Sequence, residues 1–429
     1  MSDEMRDFLH RGARAPKPTW GFETLSRRSQ RRRIYEKTVR GVAALAVVTV
    51  GAVTITSIDI GSLLDRHNDA APVTRNGGPY AGSTDPDRDP DLSDATWQRM
   101  PAAPIGGRYD NVAVWTGEEM LVWGGRVGDS STSADGAAFD PLNDEWRRLS
   151  DSPLTDAMRA AVWTGQEMLL WGGEKRDHEK PDDGAAYDPR TDTWRELPQS
   201  PYWSLANHSA VWTGEEMIVW GGVSPVGFHG AGAALDPRAG AWRTIAEAPI
   251  EGRWGHSAVW TGTEMIVWGG GPGGDPHSDG AAYDPASDSW RELPPAPISG
   301  RDLHAAVWTG QEMIVWGGWS GRDVTLSDGA AYDPASNSWR ELPRAPISPP
   351  PLETAAVWTG REMIVIGEAG NLAVYSVGEN DWERVPQPPS GSVDDPTLVG
   401  TDHGVILWRG VPRHGDGFSN DGAILHLGE

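Results

Sequence analysis

The chain has 429 residues, a formal net charge of −24, 23 tryptophans, 53 glycines, 34 prolines and no cysteine. Disulfides, thiolate metal sites and a cysteine nucleophile are therefore excluded, and a chain of this length can bury a core without crosslinks. Residues 1–40 carry eleven basic against five acidic side chains, a net of +6, so the remainder carries −30, a balance that repels nucleic acid and anionic lipid.

The first predicted element is a basic segment over residues 1–40, in which Arg27, Arg28, Arg31, Arg32, Arg33, Lys37 and Arg40 crowd together. Residues 41–58 are uncharged and rich in valine and threonine (Val47, Val48, Thr49, Val50, Val53). As a helix, eighteen residues rise about 27 Å, enough for a bilayer's hydrocarbon core, so this stretch is predicted to be a transmembrane helix. A cleaved signal peptide fits less well, because the basic region is long and residues 57–61 show no small-residue cleavage site. The positive-inside rule then puts residues 1–40 in the cytoplasm and everything after the anchor outside the cell membrane. Residues 59–93 are rich in Asp, Gly, Pro, Ser and Arg, lack the apolar content to fold, and read as a flexible linker.

From residue 94 to the end, seven copies of a phrase of roughly 48 residues follow one another: AVWTGxEMxVWGG, a variable loop, DGAAYDP and WRxLP. The first tryptophan of the phrase falls at Trp115, Trp163, Trp212, Trp260, Trp308 and Trp358, at spacings of 48, 49, 48, 48 and 50 residues. Each copy holds four short apolar runs separated by turn residues, which predicts four strands. In the fourth copy these are residues 256–261, 264–268, 280–283 and 290–293. Thr261-Gly262 forms the first turn, Gly269-Gly270 opens the longer loop, and Asp284-Pro285 ends the third run.

The two ends of the array are complementary. Residues 95–101 hold a lone fourth run with Trp97, while residues 399–410 align on the VWTGxEMIVWGG phrase and Asp421-Gly422-Ala423 repeats DGA, with no closing tryptophan after it. The run at Trp97 is predicted to complete a seventh unit and remove two exposed sheet edges.

A diglycine after an apolar strand, an aromatic before Asp-Pro and a tryptophan six or seven residues later resemble the kelch repeat. The resemblance covers residues 94–429 and implies an all-β, seven-bladed kelch-type β-propeller, here preceded by one transmembrane helix and a disordered linker. In such a ring Gly269 and Gly270 would take positive φ and let blades approach, and Tyr283 and Trp290 would fill the wedge between blades.

Chemistry is sought where the repeat is least regular. Four residues before the first tryptophan of each unit stand Asn111, Arg159, His208, His256, His304 and Thr354, and three residues further back stand Arg108, Arg253 and Arg301. If the AVW run is innermost, as the kelch resemblance implies, these residues ring one mouth of a central channel. Three readings follow. His208, His256 and His304 form a metal site, against which their spacing argues, since tight zinc sites place two ligands close together on one element. Alternatively, each histidine bonds a neighbouring loop's backbone. Otherwise the arginines act as fork-shaped donors, with His256 and His304, in a polar funnel for an anionic or sugar-like ligand. The variable loops after each diglycine (residues 126–134, 174–182, 223–230, 271–278 and 319–327) differ in length and composition, and Tyr202, Trp203, Phe228 and Trp319 break the repeat, which makes them candidates for partner contact.

The expected function is a membrane-anchored, extracytoplasmic module that binds a protein or carbohydrate, with no cofactor, no metal and no nucleic-acid partner. The rival is a sugar-modifying propeller enzyme, similar to sialic acid epimerases or mutarotases, with Asp156, Arg159, Glu251 and His256 as acid and base candidates. No G-x-S-x-G elbow, phosphate loop or H-E-x-x-H signature is present.

Overall fold

The structure is a computed structural model that describes residues 95–427 apart from short loop segments, the longest of them 174–183 and 413–419. The predicted basic segment, transmembrane helix and linker lie outside the described residues. Among the described residues no helix is long and apolar enough to cross a membrane.

The described strands form seven antiparallel four-stranded sheets and two small ribbons. The fourth blade runs Trp254–Trp260, Met265–Gly271, Gly280–Asp284 and Ser289–Glu292, in sequence order across the sheet. Its elements match the four runs expected from turn punctuation, except that the first two strands extend further along the loop side. The turn chemistry is local. Gly262 takes φ 101°, and Thr261 Oγ1 accepts the amide of Glu264 at 2.9 Å, closing the hairpin. Asp284 Oδ1 accepts the amide of Ala286 at 2.8 Å, turning the chain where Pro285 cannot donate to a ladder.

The first strands of neighbouring blades touch in a closed circuit: Val112–Trp115, Ala160–Trp163, Ser209–Trp212, Trp254–Trp260, Ala305–Trp308, Ala356–Trp358, Thr397–Thr401 and back to Val112–Trp115. They surround the axis, and the molecule is a seven-bladed β-propeller. The ring closes as the two ends predict. Thr96–Arg99 pairs with Gly422–His426, and Trp97 stands opposite Leu425.

Apolar cores lie in the wedges between blades. Between the third and fourth blades, Val211, Ile218, Trp220 and Ala234 pack against Met265, Val267, Ala281 and Tyr283, with Trp290 half-buried beside them. Each fourth-strand tryptophan also fastens its blade to the one before: the indole N–H donates to a backbone carbonyl just past the preceding blade's last strand. Trp146 reaches Pro101, Trp194 Ser150, Trp242 Pro198, Trp290 Ala246, Trp339 Pro294 and Trp382 Pro343, at 2.8–3.0 Å. Trp97 obeys the same rule at 2.7 Å from Pro386, so the borrowed strand is fastened like the other six.

Candidate functional site

Antiparallel order sorts the connections onto two faces. The loops from second to third strand and the links from one blade to the next emerge together, while the tight Thr-Gly and Asp-Pro turns occupy the opposite face. Variation therefore collects on one side of the ring.

The diglycines lie at the base of that face. Gly269 and Gly270 take φ 69° and 73°, as their sequence context predicts. A Cβ on Gly269 would stand 2.7 Å from His304 Cε1 of the next blade, and one on Gly270 would stand 2.5 Å from the amide nitrogen of His256 in its own blade. No side chain fits either position, so the pair is a hinge of bare backbone between two histidine-bearing links. The same arrangement recurs at Gly221 with His256 and at Gly172 with His208. Across the seam, the amides of Gly222 and Gly270 donate to the carbonyls of Arg253 and Arg301 at 2.8 Å.

The six residues four positions before the first tryptophan all enter these seams. His208, His256 and His304 stand edge-on to Trp171, Trp220 and Trp268 of the preceding blade, at centroid distances of 5.0, 5.0 and 5.1 Å. His256 Nε2 shares a hydrogen bond with Ser209 Oγ at 2.9 Å, and His304 Nε2 one with Ser257 Oγ at 2.8 Å. The bonding partners are thus hydroxyls on the neighbouring inner strand, serines that the sequence reading passed over. Arg159 lies 6.0 Å from the Trp123 ring centroid, Asn111 Nδ2 donates to Thr397 Oγ1 at 2.9 Å, and Thr354 Oγ1 accepts the Gly318 amide at 3.2 Å.

Burial holds these imidazoles neutral. Desolvation pushes His208 down to about 4, with Arg159 adding to the effect, and pushes His256 and His304 down to about 3, with Arg253 and Arg301 nearby. Each of the three sits in a different seam. Among the described residues no three histidine, aspartate or glutamate side chains gather closely enough to hold a metal ion.

The three arginines are fully buried. Arg253 Nη1 donates to Gly269 O at 3.1 Å and to Asp279 Oδ1 at 2.6 Å, and its Nε donates to Glu251 O at 2.8 Å. Arg301 makes the corresponding bonds to Gly317 O, Asp328 and Ser299 O, and Arg108 to Gly124 O, Asp135 and Gly106 O. Each guanidinium therefore ties the end of the second strand to the aspartate that opens the third. The signal was in the sequence: every one of these arginines precedes its diglycine carbonyl by sixteen residues. Moreover, the third blade lacks both members of the pair, with Leu205 and Ala231 in their places.

The aromatics that break the repeat have separate settings. Phe228 is half-buried in the ribbon Val223–Ser224 with Gly227–Phe228. Trp319 is half-buried and bridges Asp302 and Thr325, and Tyr202 packs partly against the core between the second and third blades. Trp203 and Asp156 lie outside the described residues. Val324, on the same loop as Trp319, is 51% exposed, against a described surface with few large apolar side chains.

A family model described as the KLHDC2/KLHL20/DRC7 Kelch-repeats domain matches residues 111–295 and 207–398, together well over half of the chain. The chain belongs to the kelch-repeat family. No curated protein matches it. The tight-turn face of this kelch ring carries a second network that the sequence reading missed. Arg147, Arg243, Arg291 and Arg340, on fourth strands, each clamp a glutamate of their own blade with both carboxylate oxygens, for example Arg291 with Glu264 at 2.9 and 2.6 Å. Each then donates to a tyrosine hydroxyl of the following blade: Tyr187, Tyr283, Tyr332 and Tyr375, at 2.8–3.2 Å. These hydroxyls donate in turn to Asp192, Asp288, Asn337 and Asn380 at 2.7 Å.

Proposed function

We propose that this kelch propeller is an interaction module that engages a protein partner through its variable-loop face, carried outside the cell on a single membrane anchor. The observation that carries this reading is the segregation of the ring: the framework repeats nearly verbatim, while the loops between second and third strands differ and all rise from one face. A rigid scaffold with one variable face is suited to recognition. Phe228, Trp319 and Val324 supply apolar contact surface there. The buried arginines and histidines act in this reading as the frame that sets the loops. The Nε and Nη1 donors of Arg108, Arg253 and Arg301 are engaged by the ring's own carbonyls and aspartates, which favours protein contact through the loops over a sugar held in a polar funnel. The anchor reading rests on the charge and apolar pattern of residues 1–58.

Photocrosslinkers placed at Phe228 and Trp319 in the full-length chain, in membranes, should give one common crosslinked protein, and a crosslinker at Leu142 on the opposite face should not. Equal crosslinking at Leu142 overturns the choice of face. Protease added to intact cells should digest the propeller, and a protected propeller overturns the topology.

A further inference from the structure

The Arg–Tyr network has a gap. At the seam between the second and third blades, Arg195 clamps Glu167 at 2.9 and 2.6 Å as its counterparts do, but the following blade presents Leu235 where the others present tyrosine. It also presents Gly240 where they present Asp192, Asp288, Asn337 or Asn380. Gly240 keeps the same left-handed turn, φ 62° against 47–55° for those four, so the backbone is unchanged and only the side chain is gone. A Cβ at Gly240 would meet nothing within 4 Å. The Arg195 side chain is 40% exposed, against 35–36% for Arg147, Arg243, Arg291 and Arg340. Among the described residues Glu167 is its only hydrogen-bonding or ion-pairing partner.

We propose that this seam is a carboxylate-binding notch, in which Arg195 Nη1 donates to an oxygen supplied by a protein ligand where the four filled seams hold their own tyrosine hydroxyl and turn residue. The chemistry is copied from the filled seams. There the arginine's outer nitrogen meets a hydroxyl oxygen at 2.8–3.2 Å, and at two of them a carboxylate lies behind it, with Arg147 Nη1 3.8 Å from Asp192 Oδ1 and Arg243 Nη1 3.9 Å from Asp288 Oδ1. The floor of the notch is Leu235, fully buried, with Trp242 half-buried beside it, so an entering carboxylate finds a planar donor above apolar packing. The turn residue covaries with its neighbour across the filled seams. Where a backbone N–H is offered, at Ser150 and Ala246, an aspartate accepts it; where Pro294 or Pro343 stands at that position, the turn holds Asn337 or Asn380. At the open seam the neighbour is Pro198, which offers no N–H, so no second donor competes for the ligand's oxygen. The notch lies on the tight-turn face, so it stands or falls independently of the loop-face reading.

The test is NMR of the Arg side-chain Nε–Hε resonances in the full-length chain in detergent, with Arg195 assigned by its loss in Arg195→Gln. Three probes separate the sources of the carboxylate: an acetylated tripeptide with a free C-terminus, the same peptide amidated, and the amidated peptide carrying an internal glutamate. A saturable shift of the Arg195 resonance with either carboxylate-bearing probe, and none with the amidated one, is expected; which of the two acts identifies a terminus or a side chain. The Leu235→Tyr, Gly240→Asn double variant rebuilds the network and should abolish the shift while melting no lower than the parent, and Arg243→Gln at a filled seam should leave it intact. No shift, an equal shift of all arginines, or a shift that survives in the double variant overturns the proposal.

Discussion

The seam between the fourth and fifth blades and the seam between the second and third carry the same apolar packing and differ in the joints made between side chains. In the first, Trp268 packs against His304 and Trp339, His304 is bonded to Ser257, and Arg291, Tyr332 and Asn337 form a chain across the blades. In the second, Trp171 packs on His208 and Trp242 at similar distances, but Ala160 stands where the serine would be, and Leu235 and Gly240 replace tyrosine and asparagine. Both seams keep the indole N–H bond to the preceding blade, from Trp339 to Pro294 and from Trp242 to Pro198. Both also keep a diglycine amide bond across the seam, from Gly270 to Arg301 O and from Gly173 to Leu205 O, so the wedge of aromatics and these two bonds are sufficient to set one blade against the next, and the side-chain joints tighten a geometry already fixed. This ordering follows from magnitudes. A buried aromatic contributes several kcal/mol when removed, whereas a neutral hydrogen bond contributes about 1 kcal/mol net.

The largest effect is expected at the one seam that depends on both ends of the chain. Deleting the chain through residue 102 removes Trp97, Met100 and the outer strand of the seventh blade, and bares the edge of the Gly422–His426 strand. A loss of about 5 kcal/mol or more from the burial alone lowers Tm by on the order of 10 °C in a domain of this size. Calorimetry of the shortened chain tests this, and an unchanged Tm would show that the ring closes without the strand.

The histidines come next and separate the two seams directly. His304→Ala removes a ring contact and a bond to Ser257, whereas His208→Ala removes a ring contact and no serine bond. We expect losses of about 3 and about 2 kcal/mol respectively in denaturant unfolding, and equal losses would show that the serine bond contributes nothing. Both positions also impose a pH dependence. The native pKa of each lies below the ordinary 6.5, at about 4 for His208 and about 3 for His304, because burial disfavours the charged ring. Between roughly pH 4 and 6.5 the unfolded chain binds a proton that the native ring refuses, so stability rises with pH by about 1.4 kcal/mol per unit for each histidine and levels off above 6.5. The aspartates with lowered pKa, such as Asp279, lose their contribution only below about 4, so the two windows are distinct. Each His→Ala variant should flatten the slope from pH 4 to 6.5 by one proton's worth, and a slope that does not change would show the ring to be solvated.

These joints also mark what the sequence could and could not yield. The blade number, the strand limits and the pairing of Trp97 with Leu425 followed from a period and two incomplete ends, because backbone hydrogen bonding and aromatic burial repeat with the phrase. The positions beside the diglycine were legible as irregular, yet the direction of their side chains was not. Arg253 could serve a ligand or its own Gly269 carbonyl, and a sequence without coordinates does not say which way a guanidinium turns. The serines at 209 and 257 were invisible for a simpler reason: their partners lie 47 residues away on another blade, and an alanine fills the same place elsewhere. The network through Arg291 and Tyr332 was hidden by regularity, since a residue conforming to the repeat attracts no notice, and only its failure at Leu235 and Gly240 makes the pattern stand out.

A smaller effect is expected from the hydroxyl of that network. Tyr332→Phe keeps the buried ring and removes one oxygen, orphaning neither partner fully because Arg291 keeps both bonds to Glu264 and Asn337 is near the surface. The cost is about 1 kcal/mol, and the first blade supplies a natural precedent in Phe139. A loss above about 2 kcal/mol would mean that the hydroxyl anchors more than its two partners.

The finest distinction lies between two arginines with the same glutamate clamp. Arg291→Gln breaks the clamp to Glu264 and the cross-blade bond to Tyr332, whereas Arg195→Gln breaks only the clamp to Glu167. A half-exposed ion pair is worth about 0.2–1 kcal/mol, so Arg195→Gln should cost no more than that, and Arg291→Gln about 1 kcal/mol beyond it. Salt separates the components further: raising ionic strength screens the clamp in both proteins and leaves the arginine-to-phenol bond largely intact, so the gap between the variants should persist at high salt while each absolute cost shrinks. If the gap closes with added salt, the cross-blade bond draws its strength from the surrounding carboxylates, and the open seam differs from the filled one in charge more than in joinery.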